Sequence, residues 1–341
     1  MKKFLSLLTV VAVVFMSAIP VFADYTAVAG PSVPMSTTIA VGEGATVPAT
    51  TVAYSIAPGA AVAASASGDL PVLAGIGSPV INGGNNVAFT AGQAVTGGKA
   101  TTAWNIDFSG INYTSPGIYR YIVTQNTITP STVTVVDNEE TTSTIDIYVQ
   151  DNNGTLQVSA VVYDGTVTAV AKADGTNLGT KDSEFPLEYE TYDLSAGKTV
   201  TGNQGDKFKV WNFQLEIANL EPGTPVNYVD VNNTAGQFTA DDTGKIQHVF
   251  LPKHGESFSV TGLPVGATYK VTEDQANQDG YTTTGEVLEA ATISNMDVEV
   301  SIVNDRAGVV PTGVALYAGV GLVLMIGAGA YLGSKSRKHE D

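Results

Sequence analysis

Three polar side chains in the second half of the chain continue rows of apolar side chains: Lys198, Glu273 and Asn304. In a β-strand successive side chains point to opposite faces, so every second residue shares a face. The apolar residues on these shared faces are Leu194, Ala196 and Val200, then Tyr269 and Val271, then Val298, Val300 and Ile302. Each polar group is therefore predicted to point into a core, whereas Lys270 and Glu299 take the solvent-facing phase.

These residue types suit the formation of an amide bond between two side chains. An unpaired charge in apolar surroundings is very costly, so we expect the three groups to meet, and burial favours the neutral forms of Lys198 and Glu273. A neutral amine is a nucleophile, and a protonated Glu273 can polarise the Asn304 carboxamide and shuttle protons as the catalytic residue. The products are a Lys198–Asn304 amide and ammonia. Alternation alone leaves a second interpretation open, a buried salt bridge beside a hydrogen-bonded Asn.

The elements that must position these groups are short strands. Between Asp24 and Thr312 the sequence is rich in Thr, Val, Tyr and Ile, and no stretch has a convincing helical period. Turn-forming pairs separate the alternating runs: Asn82-Gly83, Asn153-Gly154, Asp164-Gly165, Asp174-Gly175 and Asp279-Gly280. The pattern is typical of antiparallel sandwiches, and we predict two of them with a joint near residues 188–191. The Ala- and Gly-rich residues 60–100 are expected to form long loops.

The two ends of the chain carry export and anchoring features. A basic start and an apolar run ending at Ala23 predict a signal peptide over residues 1–23. Residues 314–333 are uncharged and would form a helix of about 30 Å, long enough to cross a bilayer, before a basic tail. The formal net charge of −17 argues against nucleic acid as a partner. The chain has no cysteine, so any covalent stapling must use other chemistry.

The segment directly before that apolar span is Val309-Val310-Pro311-Thr312-Gly313. Its order, a Pro-Thr-Gly followed by an apolar span and a basic tail, resembles the cell-wall sorting signal of Gram-positive surface proteins, here residues 308–341. The resemblance implies that a sortase cleaves between Thr312 and Gly313 and joins the Thr312 carbonyl to an amine. It also implies that the membrane anchors the precursor only transiently, before cleavage, and that the exported product is held at the cell wall. An ordinary C-terminal membrane anchor is the alternative.

A more specific resemblance is carried by residues 197–207, 262–273 and 303–306. They resemble the isopeptide-linkage domains of streptococcal-type (T-antigen) backbone pilins, which are Ig-like sandwiches related to the B-type repeats of a collagen adhesin. The resemblance implies such a sandwich over residues 190–307. It also implies that Lys198 supplies the amine, Asn304 the carboxamide and Glu273 the catalytic carboxyl of an autocatalytic bond.

The first half resembles the N-terminal domain of the same pilins, in residues 107–109, 116–125 and 145–149. This predicts a second sandwich over residues 24–189. In the family that domain has a Glu where this chain has Gln125, an Asn where it has Leu187, and a Lys near residues 37–40. No lysine occurs between Lys3 and Lys99, so all three groups are missing together. We predict that the first domain has no isopeptide bond.

The resemblance implies a structural protein, the major subunit of a pilus that a sortase polymerises through Thr312. The acceptor amine would be Lys181 or, as a second candidate, Lys172. The expected partners are the sortase, neighbouring pilin subunits, and peptidoglycan or a basal pilin. The alternative is a cell-wall-anchored adhesin or stalk protein that does not polymerise. No metal-ligand spacing or arrangement for turnover is evident, so we expect no metal, no cofactor and no enzyme activity beyond the single self-modification.

Overall fold

The computed structural model describes residues 26–63, 72–163 and 182–308. Throughout these ranges the chain forms strands joined by turns and loops, which confirms the predicted all-β class. No helix of the described residues is long and apolar enough to cross a membrane. The predicted signal peptide, residues 1–23, and the predicted helix, residues 314–333, lie outside the described ranges.

The strands of the first half run from Val28 to Tyr189. They are β1 (Val28–Ala29), β2 (Ser32–Val41), β3 (Thr50–Pro58), β4 (Val72–Ala74), β5 (Val80–Ile81), β6 (Asn86–Phe89), β7 (Lys99–Asp107), β8 (Asn112–Tyr113), β9 (Gly117–Thr129), β10 (Val133–Val135), β11 (Thr142–Asn152), β12 (Thr155–Val162) and β13 (Glu184–Tyr189). The predicted turn at Asn153-Gly154 joins β11 to β12 as an antiparallel hairpin. Asn153 there has a φ of 55°, a conformation that Asn tolerates better than most residues.

The strands of the second half run from Thr191 to Asp305. They are β14 (Thr191–Thr201), β15 (Phe213–Ala218), β16 (Pro225–Val229), β17 (Ala235–Thr239), β18 (Ile246–Phe250), β19 (Ser257–Pro264), β20 (Thr268–Glu273), β21 (Thr282–Thr284), β22 (Val287–Thr292) and β23 (Val298–Asp305). In β15, Phe213, Leu215 and Ile217 are buried and the residues between them are half-buried. This period of two is typical of a strand with one face in a core.

Two sheets of the first half enclose its core. One has the strand order β10-β13-β2-β7-β5 and the other β12-β11-β9-β3-β6, with β4 beside β9. Side chains from both sheets meet: the ring of Tyr54 in β3 lies 4.6 Å from that of Trp104 in β7 and 5.0 Å from that of Phe185 in β13. The strands β2 and β13, near the start and the end of this half, are parallel neighbours.

The second half repeats this plan with its own core. Its sheets have the orders β17-β16-β19-β14-β23-β21 and β18-β15-β20-β22. Phe250 in β18 stacks on Phe258 in β19 at 3.9 Å across the two sheets. The first strand, β14, again pairs in parallel with the last, β23. The two hydrophobic cores share no residue, so the chain contains tandem sandwiches.

One expectation about the first half was wrong in part. Residues 60–100 contain the strands β4, β5 and β6 in addition to loops. Their buried side chains, Val72, Ile81, Val87 and Phe89, explain why these short segments are ordered as strands. The Ala- and Gly-rich composition hid these few apolar anchors.

The two halves meet beside the single residue, Glu190, that separates β13 from β14. The Asn227 side-chain amide donates a hydrogen bond to the Gly44 carbonyl at 2.8 Å. Gly262 has a φ of +78°, and a Cβ at this position would lie 2.6 Å from the Ala45 Cα. Glycine is the residue that accepts both the backbone conformation and the close approach, so it permits this contact between the halves.

The replacement Phe185→Ala tests whether the two cores unfold separately. Removing a buried Phe ring costs about 3–5 kcal/mol, so the first half should unfold at lower urea concentration. Each core contains one of the two tryptophans, Trp104 or Trp211, and fluorescence of single-tryptophan variants reports the two halves independently. We expect the Trp104 transition to shift and the Trp211 transition to stay. Val80→Ala, at a side chain 60% exposed, is the control, and equal shifts of both transitions would contradict the prediction.

Candidate functional site

Lys198, Asn304 and Glu273 come together from both sheets of the second half. Lys198 lies in β14 and Asn304 in the adjacent parallel strand β23, where Val200 pairs with Asn304. The two side chains are therefore diagonal neighbours on the inner face of one sheet. Glu273 ends β20 in the facing sheet, in register with Phe213 of β15. It reaches the other two groups across the core.

The Glu273 carboxyl bridges the amine and the carboxamide. The Lys198 Nζ donates to the Glu273 Oε2 at 2.5 Å, and the Asn304 Nδ2 donates to the Glu273 Oε1 at 2.7 Å. The exposed fractions of Lys198, Glu273 and Asn304 are 1%, 4% and 0%. Bulk water is thus excluded from all three groups.

Aromatic side chains form the apolar wall of this site. The Lys198 Nζ lies 4.5 Å from the ring centroid of Trp211 and 5.6 Å from that of Phe213, and both rings are fully buried. Burial lowers the pKa of Lys198 below its ordinary value of 10.5, while the hydrogen bond and charge of Glu273 act in the opposite direction. The net lowering favours the neutral, nucleophilic amine.

The Asn304 carboxamide is held by its nitrogen alone. Its Oδ1 is buried and has no hydrogen-bond partner, which is unusual for a buried polar atom. The nitrogen faces the same carboxyl that contacts the amine, so Glu273 can exchange protons with both. An amine, a proton shuttle and a carboxamide, whose carbon is attacked and whose nitrogen leaves, are the groups that transamidation requires.

Three contacts around the site could not be read from strand alternation. The Glu286 Oε1 accepts a hydrogen bond from the Glu273 backbone N–H at 2.8 Å. The His254 Nδ1 accepts one from the Val200 backbone N–H at 2.9 Å. Trp211 lies in the hydrophobic core and also against Lys198. Glu286 and His254 lie outside the strands, so no periodic signal marks them.

The first half has the corresponding positions without the corresponding groups. In its parallel pair, Leu187 of β13 is in register with Ile39 of β2, as Asn304 is with Val200. Thr37 lies two residues before Ile39, so it occupies the position in the first half that corresponds to Lys198 in the second half. Gln125 of β9 is in register with Tyr54 of β3, as Glu273 is with Phe213.

Hydrogen bonds between neutral groups replace the ionic contact there. The Thr37 hydroxyl is 2.8 Å from the Tyr54 hydroxyl, and the Trp104 Nε1 donates to the Thr37 Oγ1 at 3.1 Å. Gln125 is buried and its Nε2 has no hydrogen-bond partner. Thr37, Gln125 and Leu187 supply neither an amine nor a carboxyl, so this cluster lacks the groups for amide formation.

The other residues predicted to be functional lie outside the described part of the chain. They are the sortase motif, Val309, Val310, Pro311, Thr312 and Gly313, and the candidate acceptor lysines, Lys181 and Lys172. Among the described residues, no group of three or more His, Asp or Glu side chains could hold a metal ion.

Comparison with known proteins identifies relatives of both halves. Residues 192–306 match the family profile of a domain of unknown function, DUF7601. A pilin of Streptococcus pyogenes serotype M1 is 29% identical over 254 residues, which are 68% of this chain and 72% of that protein. The pilus tip adhesin Cpa of S. pyogenes is 32% identical over 128 residues, which are 34% of this chain and 18% of the adhesin.

Solved structures share the fold over most of the chain. The crystal structure of a major pilin from S. pyogenes has a TM-score of 0.57 at 22% identity. The match covers 82% of this chain and 100% of that chain. The major pilin T-13 from S. pyogenes serotype GAS131465 has a TM-score of 0.54 at 23% identity, covering 83% and 99%. At this identity the likeness concerns the fold, and together with the sequence match it confirms the resemblance to streptococcal backbone pilins.

The register correspondence predicts that three substitutions build a second reactive site in the first half. The variant Thr37→Lys, Gln125→Glu, Leu187→Asn should lose one more ammonia than the parent chain, as measured by intact mass. The double variant Thr37→Lys, Leu187→Asn, which keeps Gln125, is the matched control. It should lose no more ammonia than the parent chain, because the introduced amine and amide have no proton shuttle. A triple variant that folds, by circular dichroism, yet shows no additional loss would contradict the prediction.

Proposed function

We propose that this chain, which resembles the streptococcal backbone pilins, is the structural subunit of a cell-surface pilus. In this proposal a sortase joins the Thr312 carbonyl to a lysine of the next subunit, and an internal isopeptide bond reinforces the second half. The carrying observation is the buried Glu273 carboxyl, which contacts both the Lys198 amine and the Asn304 amide. The match to a pilin over both halves supports the assembly role.

The proposed bond forms in one balanced exchange. Lys198 reacts as the neutral amine and Glu273 as the neutral carboxyl, and the amine attacks the Asn304 Cγ. The Glu273 carboxyl gives its proton to the Asn304 Nδ2, which leaves as ammonia, and takes one proton from the Lys198 Nζ. One N–C bond forms, one N–C bond breaks, and Glu273 ends in the state in which it began, so no cofactor is needed.

The position of this bond gives it a mechanical role. It would join the first and last strands of the second half, and Asn304 lies shortly before the proposed attachment residue, Thr312. Tension that enters at Thr312 would pass from Asn304 to Lys198 without separating the strands. By analogy with disulfides, closing a loop of about 100 residues also contributes a few kcal/mol to stability. In a chain without cysteine, the bond takes the place of a disulfide.

The two sandwiches then differ in their resistance to force. In this proposal the domain boundary lies between residues 189 and 190. The domain before it has no isopeptide bond, and the domain after it has one. The first domain relies on packing, hydrogen bonds and ion pairs, and its hydrogen bonds include the Thr37, Tyr54 and Trp104 cluster. It would therefore extend first under load, while the second would hold.

Intact mass of recombinant residues 24–312 tests the bond count. We expect the mass of the sequence less one ammonia. Lys198→Met, Asn304→Ala and Glu273→Ala should each restore the full mass, because each removes one of the three groups that the exchange requires.

Lys209→Met is the control for the loss of a lysine elsewhere in the same half. It should leave the loss of one ammonia unchanged. Full mass in the parent chain would support the buried salt bridge instead, and a loss of two ammonia molecules would contradict the unlinked first domain.

An immunoblot of muramidase-released cell wall tests polymerisation. Under denaturing, reducing conditions we expect a regular ladder of high-mass species. Lys181→Ala should abolish the ladder because the acceptor amine is removed, and Lys172→Ala is the matched control that should keep it.

The outcomes separate the proposal from its rival, a singly anchored adhesin. The partial match to a pilus tip adhesin makes that rival specific. A single band shifted only by wall fragments would favour the anchored adhesin. A ladder that Lys172→Ala abolishes and Lys181→Ala does not would move the linkage to the second candidate.

A further inference from the structure

Phe208 has the highest exposed fraction, 88%, of the large apolar side chains in the described ranges. It lies in the loop of residues 202–212, between β14 and β15. Its neighbours Lys207 and Val210 are also exposed. Burial of a Phe ring is strongly favourable, so a ring that is 88% exposed in the single chain is available for contact with a partner.

Hydrogen bonds and an ion pair hold the loop around Phe208 in place. The Asp206 backbone N–H donates to the Tyr281 hydroxyl at 2.8 Å, and the Phe208 N–H donates to the Asp206 Oδ1 at 2.9 Å. The Lys209 Nζ donates to the Asp279 Oδ2 at 2.9 Å. The ring of Phe208 is therefore presented outward by a pre-organised loop, and such aromatic residues are typical anchors of interfaces.

This loop lies at the end of the second half where the chain continues toward the proposed attachment residue. The Gln204 backbone N–H donates to the Arg306 carbonyl at 3.0 Å. Five residues, 308–312, follow Ala307 up to and including Thr312, and they span at most about 18 Å. A protein joined to Thr312 is thus tethered close to Phe208, which raises its effective concentration there.

The opposite end of the first half, away from the joint, offers a complementary surface. Val80 is 60% exposed and Ile76 is 36% exposed. Val80 is in register with Asp107, the last residue of β7. Hydrogen bonds from Ser109 lower the pKa of Asp107, which keeps this carboxylate charged.

The charges of the two ends are also complementary. In the described residues of the first half the basic side chains are Lys99 and Arg120, and both are ion-paired. Within the described ranges neither Asp107 nor Lys207 has an ion-pair partner of its own. The far end of the first half therefore presents aliphatic side chains beside Asp107. The far end of the second half presents the Phe208 ring beside Lys207.

We propose that residues 207–210 of one copy dock against Ile76, Val80 and Asp107 of a second copy. Phe208 packs on the two aliphatic side chains, and Lys207 faces Asp107. The two surfaces are different parts of one chain, so the contact is heterologous and extends into an open fibre. The inference rests on the proposed function and names the surfaces that the sortase linkage brings together.

A disulfide across the contact tests the geometry. The chain has no cysteine, so the double variant Lys207→Cys, Asp107→Cys contains only the two introduced thiols. In fibres assembled by cells, then released and oxidised, we expect a disulfide-linked pair of peptides containing positions 107 and 207. Lys99→Cys replaces Asp107→Cys in the control, because Lys99 and Asp107 lie at opposite ends of the same strand, β7, and we expect no disulfide there.

A second variant tests the energetics of the contact. Phe208→Ala should reduce the ladder several-fold while the melting temperature stays unchanged, since the ring contributes little to the folded subunit. Leu288→Ala, at a side chain 64% exposed in β22, is the control and should leave the ladder intact.

The outcomes distinguish this inference from the function on which it rests. Fibres without the 107–207 disulfide, or a Phe208→Ala ladder equal to that of the parent chain, overturn the docking and leave the pilus subunit standing. Absence of a ladder from the parent chain overturns both.

Discussion

Glu273 reaches across the core of the second sandwich to two polar groups that neither strand could bury alone. An ammonium or an amide in apolar surroundings is costly unless it is paired, and the Glu273 carboxyl pairs with both Lys198 and Asn304. The pairing requires that β14 align with β23 and that β20 face them. A slip of one residue in any of these strands would turn its polar group to the other face. Strand register, sheet packing and site chemistry are therefore a single constraint.

The first sandwich shows what the same frame does without that constraint. Thr37, Gln125 and Leu187 occupy the corresponding register positions, and aromatic packing with neutral hydrogen bonds fills the space. The side-chain amide of Gln125 keeps a buried nitrogen without a hydrogen-bond partner, which is unusual for a buried polar atom. With the proposed bond in the second domain, two domains of one plan would differ in covalent strength, which suits a fibre in which one part extends and another holds.

The ends of the molecule extend the same reasoning to assembly. The parallel pairing of first and last strands brings the exit of the second half beside the loop that carries Phe208. At the far end of the first half, Val80 and Asp107 form a surface of opposite character. In the proposed fibre, where a short tether links neighbouring subunits, such surfaces would govern orientation more than affinity, because the tether already supplies proximity.

Much of this protein follows from its sequence by itself. A period of two determined the strands and the inward phase of Lys198, Glu273 and Asn304, and the pair Asn153-Gly154 determined a hairpin. Composition failed at residues 60–100, where isolated apolar side chains order short strands against an existing core.

The individual contacts of these polar groups depend on how the strands pair and how the two sheets face each other. Alternation states the face of a residue but never its neighbour across the sheet or the core. The contacts of Glu286 and His254 with the backbone of the site depend on loops that carry no periodic signal. Strand register also identifies Thr37 as the residue that corresponds to Lys198 in the second half. Register exists only once the strands have paired, so the sequence alone could place this position no more closely than residues 37–40.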